Sequence, residues 1–241
     1  MTSAAAADSV AGDVVAVGDV GAVVGADGVA RCAWAASSPD YVAYHDEEWG
    51  RPVHGERALF ERLTLEAFQS GLAWITILRK RPAFRAAFDD FDPERVAAYD
   101  DTDRARLMAD AGIVRNRRKV DAAITNAAAV LALRAEPPLP GGLDTLVWSH
   151  VPAAHPAPRT LADVPATSPE SVALARALKQ RGFAFVGPTT MYATMQACGL
   201  VDDHVAACHR SVVAGSVAGE TAAAVSAAGQ GRRPDPRTRA R

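Results

Sequence analysis

Between residues 31 and 210 the large apolar side chains recur every three to four positions, and sustained alternation of period two is absent. That period belongs to helices burying one face, so the chain reads as an all-α domain with short connections. Leu59, Phe60, Leu63, Ala67 and Phe68 form one stripe, with Gly71 as its stop. Pro82 and the Asp92-Pro93 pair read as helix starts, because proline suits the first helical turn. A long helix is expected from Asn116 to Arg134, ended by Pro137-Pro138. Ser168-Pro169-Glu170 supplies a cap, a first-turn proline and an acidic start for a helix running to Gly182; another opens at Pro188 and ends near Gly199.

The two ends lack this pattern. Residues 1–30 are almost wholly Ala, Gly, Val, Asp and Ser, with no aromatic, Leu or Ile. Such a segment buries too little apolar area to offset its ordering entropy, so it is expected to be a disordered tail. Residues 211–241 read as a second tail, small residues followed by the Arg/Pro-rich Arg232 to Arg241. The expected domain is 31–210, about 180 residues, a length that closes one core.

Lys plus Arg total 26 against 28 Asp plus Glu, a net charge of -2. A globally basic nucleic-acid coat is excluded, while local clusters remain at Arg79-Lys80-Arg81 and at Arg115 with Arg117-Arg118-Lys119. No apolar run approaches the roughly 20 residues of a membrane span. Asp13 and Asp19 interrupt the apolar-leaning Val10 to Val24, and the first cationic side chain is Arg31, which does not read as a secretory leader. Three cysteines are too few for a disulfide scaffold, so the expected compartment is the reducing cytoplasm, with no membrane association.

Cys32 and His45 open the folded region, and His204 and Cys208 close it at i and i+4, on one face if that segment is helical. Two Cys and two His make a complete tetrahedral shell for a structural zinc ion. Cys198, His54 and His209 are alternative ligands, and plain burial is the alternative to ligation. The segment from Arg31 to Trp49 shows little helical pattern yet carries Trp34, Tyr41, Tyr44 and Trp49, so it reads as an aromatic loop that such a staple pins into a pocket wall. Glu66 is seven positions from Leu59 and shares its face within about 20°. A carboxylate there is paired, protonated or lining a cavity; the plainer reading is an edge residue reaching solvent. With Trp74 just beyond, it suits a flat, cationic heterocycle held by stacking and by hydrogen bonds at its edge. From Lys179 to Thr190 one helix ends and another begins around Gly182 and Gly187. The free N–H groups there, with Thr189 and Thr190, suit a DNA phosphate; an ordinary connector is the alternative.

These residues resemble the DNA-3-methyladenine glycosylase I family. The resemblance runs from about Arg31 to Cys208. It rests on Arg31-Cys32-Ala33-Trp34, Tyr41 through Gly50, Leu65-Glu66 with Gly71-Leu72-Ala73-Trp74-Ile75-Thr76, Ala111-Gly112-Ile113, Arg181-Gly182-Phe183 with Phe185 through Thr190, Met195-Gln196-Ala197, and Gly199-Leu200-Val201 with Asp203-His204. It implies a helix-hairpin-helix glycosylase whose structural zinc falls on Cys32, His45, His204 and Cys208. Glu66 becomes the base-recognising glutamate, Trp74 the stacking ring, and Trp34, Tyr41, Tyr44 and Trp49 the other pocket aromatics. The partner is double-stranded DNA carrying alkylated bases, and the protein is expected to act as a monomer. The implied reaction flips 3-methyladenine from the stack and lets water displace it, leaving an abasic site. Ala33 stands where Gly is common and Ala73 where Ser is usual. Asp202 stands where Asn is typical, which raises two readings: a carboxylate near the sugar, or a cap before the metal segment. Two rivals from other classes are a zinc-stapled DNA-binding module without catalysis and a zinc hydrolase of small molecules.

Overall fold

The computed structural model describes residues 21–136 and 139–211. Residues 1–20 and 212–241, most of both expected tails, lie outside the described residues, as does the Pro137-Pro138 pair. The described chain is predominantly helical. Its helices are α1 (Pro39–Glu47), α2 (Glu56–Gln69), α3 (Trp74–Ala87), α4 (Pro93–Ala97), α5 (Asp101–Ala109), α6 (Arg117–Leu133), α7 (Gly142–Trp148), α8 (Pro169–Gln180) and α9 (Pro188–Ala197). α2 lies at the centre and packs against α3, α6, α7 and α9. Its stripe of Leu59, Phe60, Leu63 and Phe68 is fully buried, against Phe84 and Phe88 among others.

Local chemistry accounts for several boundaries. Asn116 caps α6 through its side chain, which accepts from the Lys119 N–H at 3.3 Å. Ser168 caps α8 with Pro169 in the first turn, and Pro188 opens α9. Lys119 is buried and donates from Nζ to the Phe68 and Ser70 carbonyls at 2.8 and 2.7 Å. It thereby closes the C-terminal end of α2, where carbonyls lack helical partners.

Four expectations are corrected. The folded body starts before residue 31: strand β1 (Ala22–Val24) pairs antiparallel with β2 (Ala30–Cys32), Val23 opposite Arg31. Arg31 holds this ribbon through ion pairs to Asp27 and Asp46, both at 2.8 Å, a contact invisible to apolar counting. Pro82 does not start a helix but lies inside α3. An interior proline costs roughly 3 kcal/mol, which burial of Ile77, Phe84 and Ala87 on that helix opposes. The segment from Arg31 to Trp49 is not a loop: Ala33–Ser37 is a 3-10 turn, and α1 follows, with Ser38 accepting from the Tyr41 N–H at 3.3 Å. Finally, His204 and Cys208 do not share a helix face. After α9 the chain passes through turns and bends to Ser211, and tertiary packing brings the two side chains together.

Candidate functional site

The apolar stripe that drives α2 into the core carries Glu66 with it, leaving that residue only 5% exposed. α1 and the turn before it bring Trp34, Tyr41 and Tyr44, and the start of α3 brings Trp74. Together with Trp49 and Glu66 these side chains line one cavity of about 630 Å³. The rings brace one another: Trp34 meets Tyr41 and Trp49 edge-on at 5.6 and 5.1 Å, and Tyr44 leans on Trp74 at 5.4 Å. The Tyr41 hydroxyl accepts from the Ile75 N–H at 3.0 Å, tying α1 to the residue after Trp74. All six residues expected to form a base pocket therefore surround one space.

The Glu66 carboxyl forms no hydrogen bond with any described residue. Burial pushes its pKa from an ordinary 4.5 up to about 8, and the positive charge of Arg62 opposes the rise. In this cavity burial thus favours the neutral acid. A cationic ring entering it favours the carboxylate, since an opposite charge within about 4–6 Å lowers an acid's pKa.

Behind the aromatic wall, Cys32 Sγ, a His45 ring nitrogen and Cys208 Sγ all lie within 4.8 Å of one another, buried. His45 Nε2 is 3.4 Å from Cys208 Sγ, and the His204 ring centroid is 4.9 Å from that of His45. Both imidazoles engage a carboxylate through Nδ1: His45 with Asp46 at 2.8 Å, His204 with Asp202 at 2.7 Å. That pairing leaves each Nε2 lone pair available, and His204 Nε2 is buried without a partner among the described residues. The N–H groups of Val205 and Arg210 point at the Cys32 and Cys208 sulfurs, each at 3.4 Å. A hydrogen bond from Cys32 holds the Cys208 thiol down to about 4, and the same contact pushes Cys32 upward. Two buried sulfurs and an imidazole within reach of one another are the donor chemistry of a metal site, so Cys32, His45 and Cys208 fit one, with the orphaned His204 nitrogen beside them. Gly50, at φ +75°, is required here, because a Cβ would stand 2.7 Å from His204 Cε1. Of the alternative ligands only His209 stays near the cluster, where His45, Asp46 and His209 form a second group close enough to hold a metal ion. His209 bonds Asp46, His54 stacks on Trp148 at 4.2 Å, and Cys198 at the end of α9 is a thiol that burial pushes up to about 12.

Between α8 and α9 the chain turns through Gly182, at φ +86°, and Phe183 and Val186 anchor the turn in the core. Gly187 precedes α9 without a side-chain cap, so the amides of Thr189 and Thr190 have no side-chain acceptor from the capping position. Open space surrounds the positions a Cβ would take at Gly182 and Gly187. The four residues expected to meet phosphate thus stand together at one turn. Asn126 of α6, almost fully buried, clamps that turn: its Nδ2 donates to the Ala184 carbonyl at 3.0 Å and its Oδ1 accepts from the Ala184 N–H at 2.7 Å.

Sequence reading missed Asn126, Lys119, and the cavity-lining Gln69, Gln196 and Asp203. Lys119 stood only in a basic cluster, and Gln196 and Asp203 only in motifs that carry the family resemblance. The one available signal was a polar residue on an apolar helix face, which Asn126 shares with Glu66. Asp202 accepts from the His204 N–H at 3.1 Å and meets its ring nitrogen at 2.7 Å.

Residues 34–211 match a protein-family model described as methyladenine glycosylase. The chain is 48% identical over 183 residues to DNA-3-methyladenine glycosylase 1 of Escherichia coli K12, covering 74% of this chain and 95% of that one. It is 42% identical over 181 residues to a DNA-3-methyladenine glycosylase of Haemophilus influenzae, covering 74% and 96%. Among solved structures, a crystal structure of 3-methyladenine DNA glycosylase I superposes with a TM-score of 0.70 at 46% identity, covering 75% of this chain and 98% of that chain. A variant of such an enzyme in complex with 3-methyladenine gives 0.69 at 35% identity, covering 74% and 95%.

Proposed function

Because this chain belongs to the methyladenine glycosylase family, we propose that it is a DNA-repair enzyme that releases 3-methyladenine from alkylated DNA. The observation that carries the proposal is the buried Glu66 carboxyl, without a hydrogen-bond partner among the described residues, facing a cavity walled by three indoles and two phenols. The cavity volume of about 630 Å³ falls within the usual range of roughly 300–1,000 Å³ for small-molecule sites.

N3-methylation makes adenine cationic. The C1′–N bond breaks with its electron pair passing to the ring, and the base leaves neutral. Water adds at the anomeric carbon and gives up a proton to solvent. Leaving-group protonation is thus unnecessary, and the enzyme's task is to flip, hold and select the base. Trp74 supplies a face for stacking, while Trp34, Tyr41, Tyr44 and Trp49 close the remaining walls. Glu66 reads the base edge and gains its charge as the cation arrives, which favours the lesion over a neutral adenine. With no lysine placed as a Schiff-base nucleophile, the product is an abasic site.

Cys32, His45, His204 and Cys208 would hold zinc, whose contribution is a closed structural shell joining the β-ribbon and α1 to the C-terminal turns. Gly182, Gly187, Thr189 and Thr190 would contact a DNA phosphate, making α8 and α9 the arms of a helix-hairpin-helix. Among the described residues no helix is long and apolar enough to cross a membrane. In this reading the protein acts on DNA in the cytoplasm, as a monomer.

The test is incubation of the purified protein with methylated duplex DNA and chromatography of the bases released. Wild type is expected to liberate 3-methyladenine, and Glu66→Gln to be slower by about a hundredfold, the scale of losing one charged contact in a dry site. Equal rates would refute the reader role. A DNA-binding module without catalysis instead predicts duplex affinity and no free base.

A further inference from the structure

The cavity contains a second polar group whose orientation is fixed by a buried network. Asp203 is 3% exposed. Its Oδ2 accepts from the Tyr192 hydroxyl at 2.8 Å and from Gln196 Nε2 at 2.7 Å, while Oδ1 meets His155 Nε2 at 2.7 Å. Gln196 Nε2 is the donor in that contact, so the NH2 end of the amide faces Asp203. The amide oxygen is turned away from Asp203. It accepts nothing from any described residue, it is not sealed off, and Gln196 forms part of the cavity wall. α9, which carries Gln196, packs on α2, which carries Glu66.

We propose that Gln196, oriented by Asp203, is an acceptor that reads the exocyclic amine of a 6-aminopurine and so selects 3-methyladenine over 3-methylguanine. The 6-oxo group of guanine would set acceptor against acceptor at that point, leaving two oxygens desolvated and unpaired. The inference rests on the glycosylase reading above and names which of two lesions the same cavity prefers. Gln196 is the specificity-determining residue. Asp203 is a positioning residue, because it acts by preventing the amide from rotating by half a turn.

Duplex DNA methylated with dimethyl sulfate carries both lesions, and kcat/KM for the release of each is measured from the separated bases. Wild type is expected to favour 3-methyladenine. Gln196→Leu and Gln196→Met, which remove the acceptor at similar volume, are expected to lower the ratio of the two kcat/KM values roughly tenfold, the scale of one buried hydrogen bond. Asp203→Asn presents both a donor and an acceptor to the Gln196 amide, so it is expected to lower the ratio in the same direction and by less. A merely structural defect would slow both releases together and leave the ratio unchanged. An unchanged ratio in both Gln196 variants would overturn the inference while the glycosylase reading stands, and an unchanged ratio in Asp203→Asn would remove its positioning role. Failure of wild type to release either base would overturn that reading and this inference with it.

Discussion

At the residue scale, Glu66 couples the site to stability. Burial lifts its folded pKa from 4.5 to about 8, so between those values the folded protein keeps a proton that the unfolded chain has lost. Its contribution is complete below pH 4.5 and disappears as pH rises through about 8, a difference on the order of 5 kcal/mol at most. Glu66→Gln preserves the shape and removes the titration. The variant is expected to melt above wild type at pH 9 and level with it at pH 4, and a pH series of thermal melts measures this. Matching melting curves at pH 9 would show that the carboxyl is not buried as described. The helix face of Glu66 was legible because helical spacing is local, seven steps from Leu59, whereas packing decided that it is buried rather than at an edge reaching solvent. The roles of Asp203 and Gln196 were not legible even though both residues stand in the family motifs, because the network that orients them includes His155, 48 positions from Asp203.

At the element scale, the turn between α8 and α9 takes its shape from α6. Asn126 makes both hydrogen bonds of a clamp on Ala184, 58 positions away. Asn126→Ala leaves that N–H and carbonyl without their partner at a cost of about 2–3 kcal/mol. The variant is expected to lose affinity for undamaged duplex DNA roughly tenfold, while binding of free 3-methyladenine is unchanged. Fluorescence titrations with each ligand distinguish the two effects, and unaltered duplex affinity would separate this turn from the DNA surface. The same scale explains the misread segments. Ser38-Pro39-Asp40 carries the same cap-and-proline signal that marks α8, but the aromatics after it mask the helical period. Pro82 carries a start signal that the packing of its helix overrides, since propensity is weak beside burial. Gly199, at φ +74°, passes 2.7 Å from the backbone of Arg51 when a Cβ is placed on it, so the end of α9 and the segment after α1 meet only through a glycine.

At the scale of the whole molecule, the Cys and His cluster joins the two ends of the domain. Cys32 and Val205 are 173 positions apart, and His45 and Cys208 are 163 apart. Closing so long a loop with a metal ion removes conformational freedom from the unfolded chain. Chelation of the metal, or the Cys32→Ser and Cys208→Ser pair, is expected to lower the melting temperature by about 10 °C, at ~2–4 °C per kcal/mol for a domain of this size. Elemental zinc analysis accompanies the melt, and unchanged zinc content and melting temperature would reject the ligand set. Because the aromatic wall sits against the cluster, Trp49 lying 4.6 Å from His204, base binding is expected to weaken along with stability.

What the chain determined on its own is the set of properties written at short range. These are the helical period, most caps and stops, the helix face on which Glu66 lies, and the residue types able to ligate a metal or stack on a base. Each depends on a handful of neighbours and on backbone geometry, so it survives without knowledge of the fold. Only the tertiary structure decided that residues 22–32 pair as a ribbon, and that turns rather than a helix carry His204 and Cys208. It also decided that Asp203 orients Gln196 and that Asn126 shapes the turn before α9. Those outcomes depend on hydrogen bonds and ion pairs between distant segments, whose energies outweigh local preference only once the core has brought the partners together.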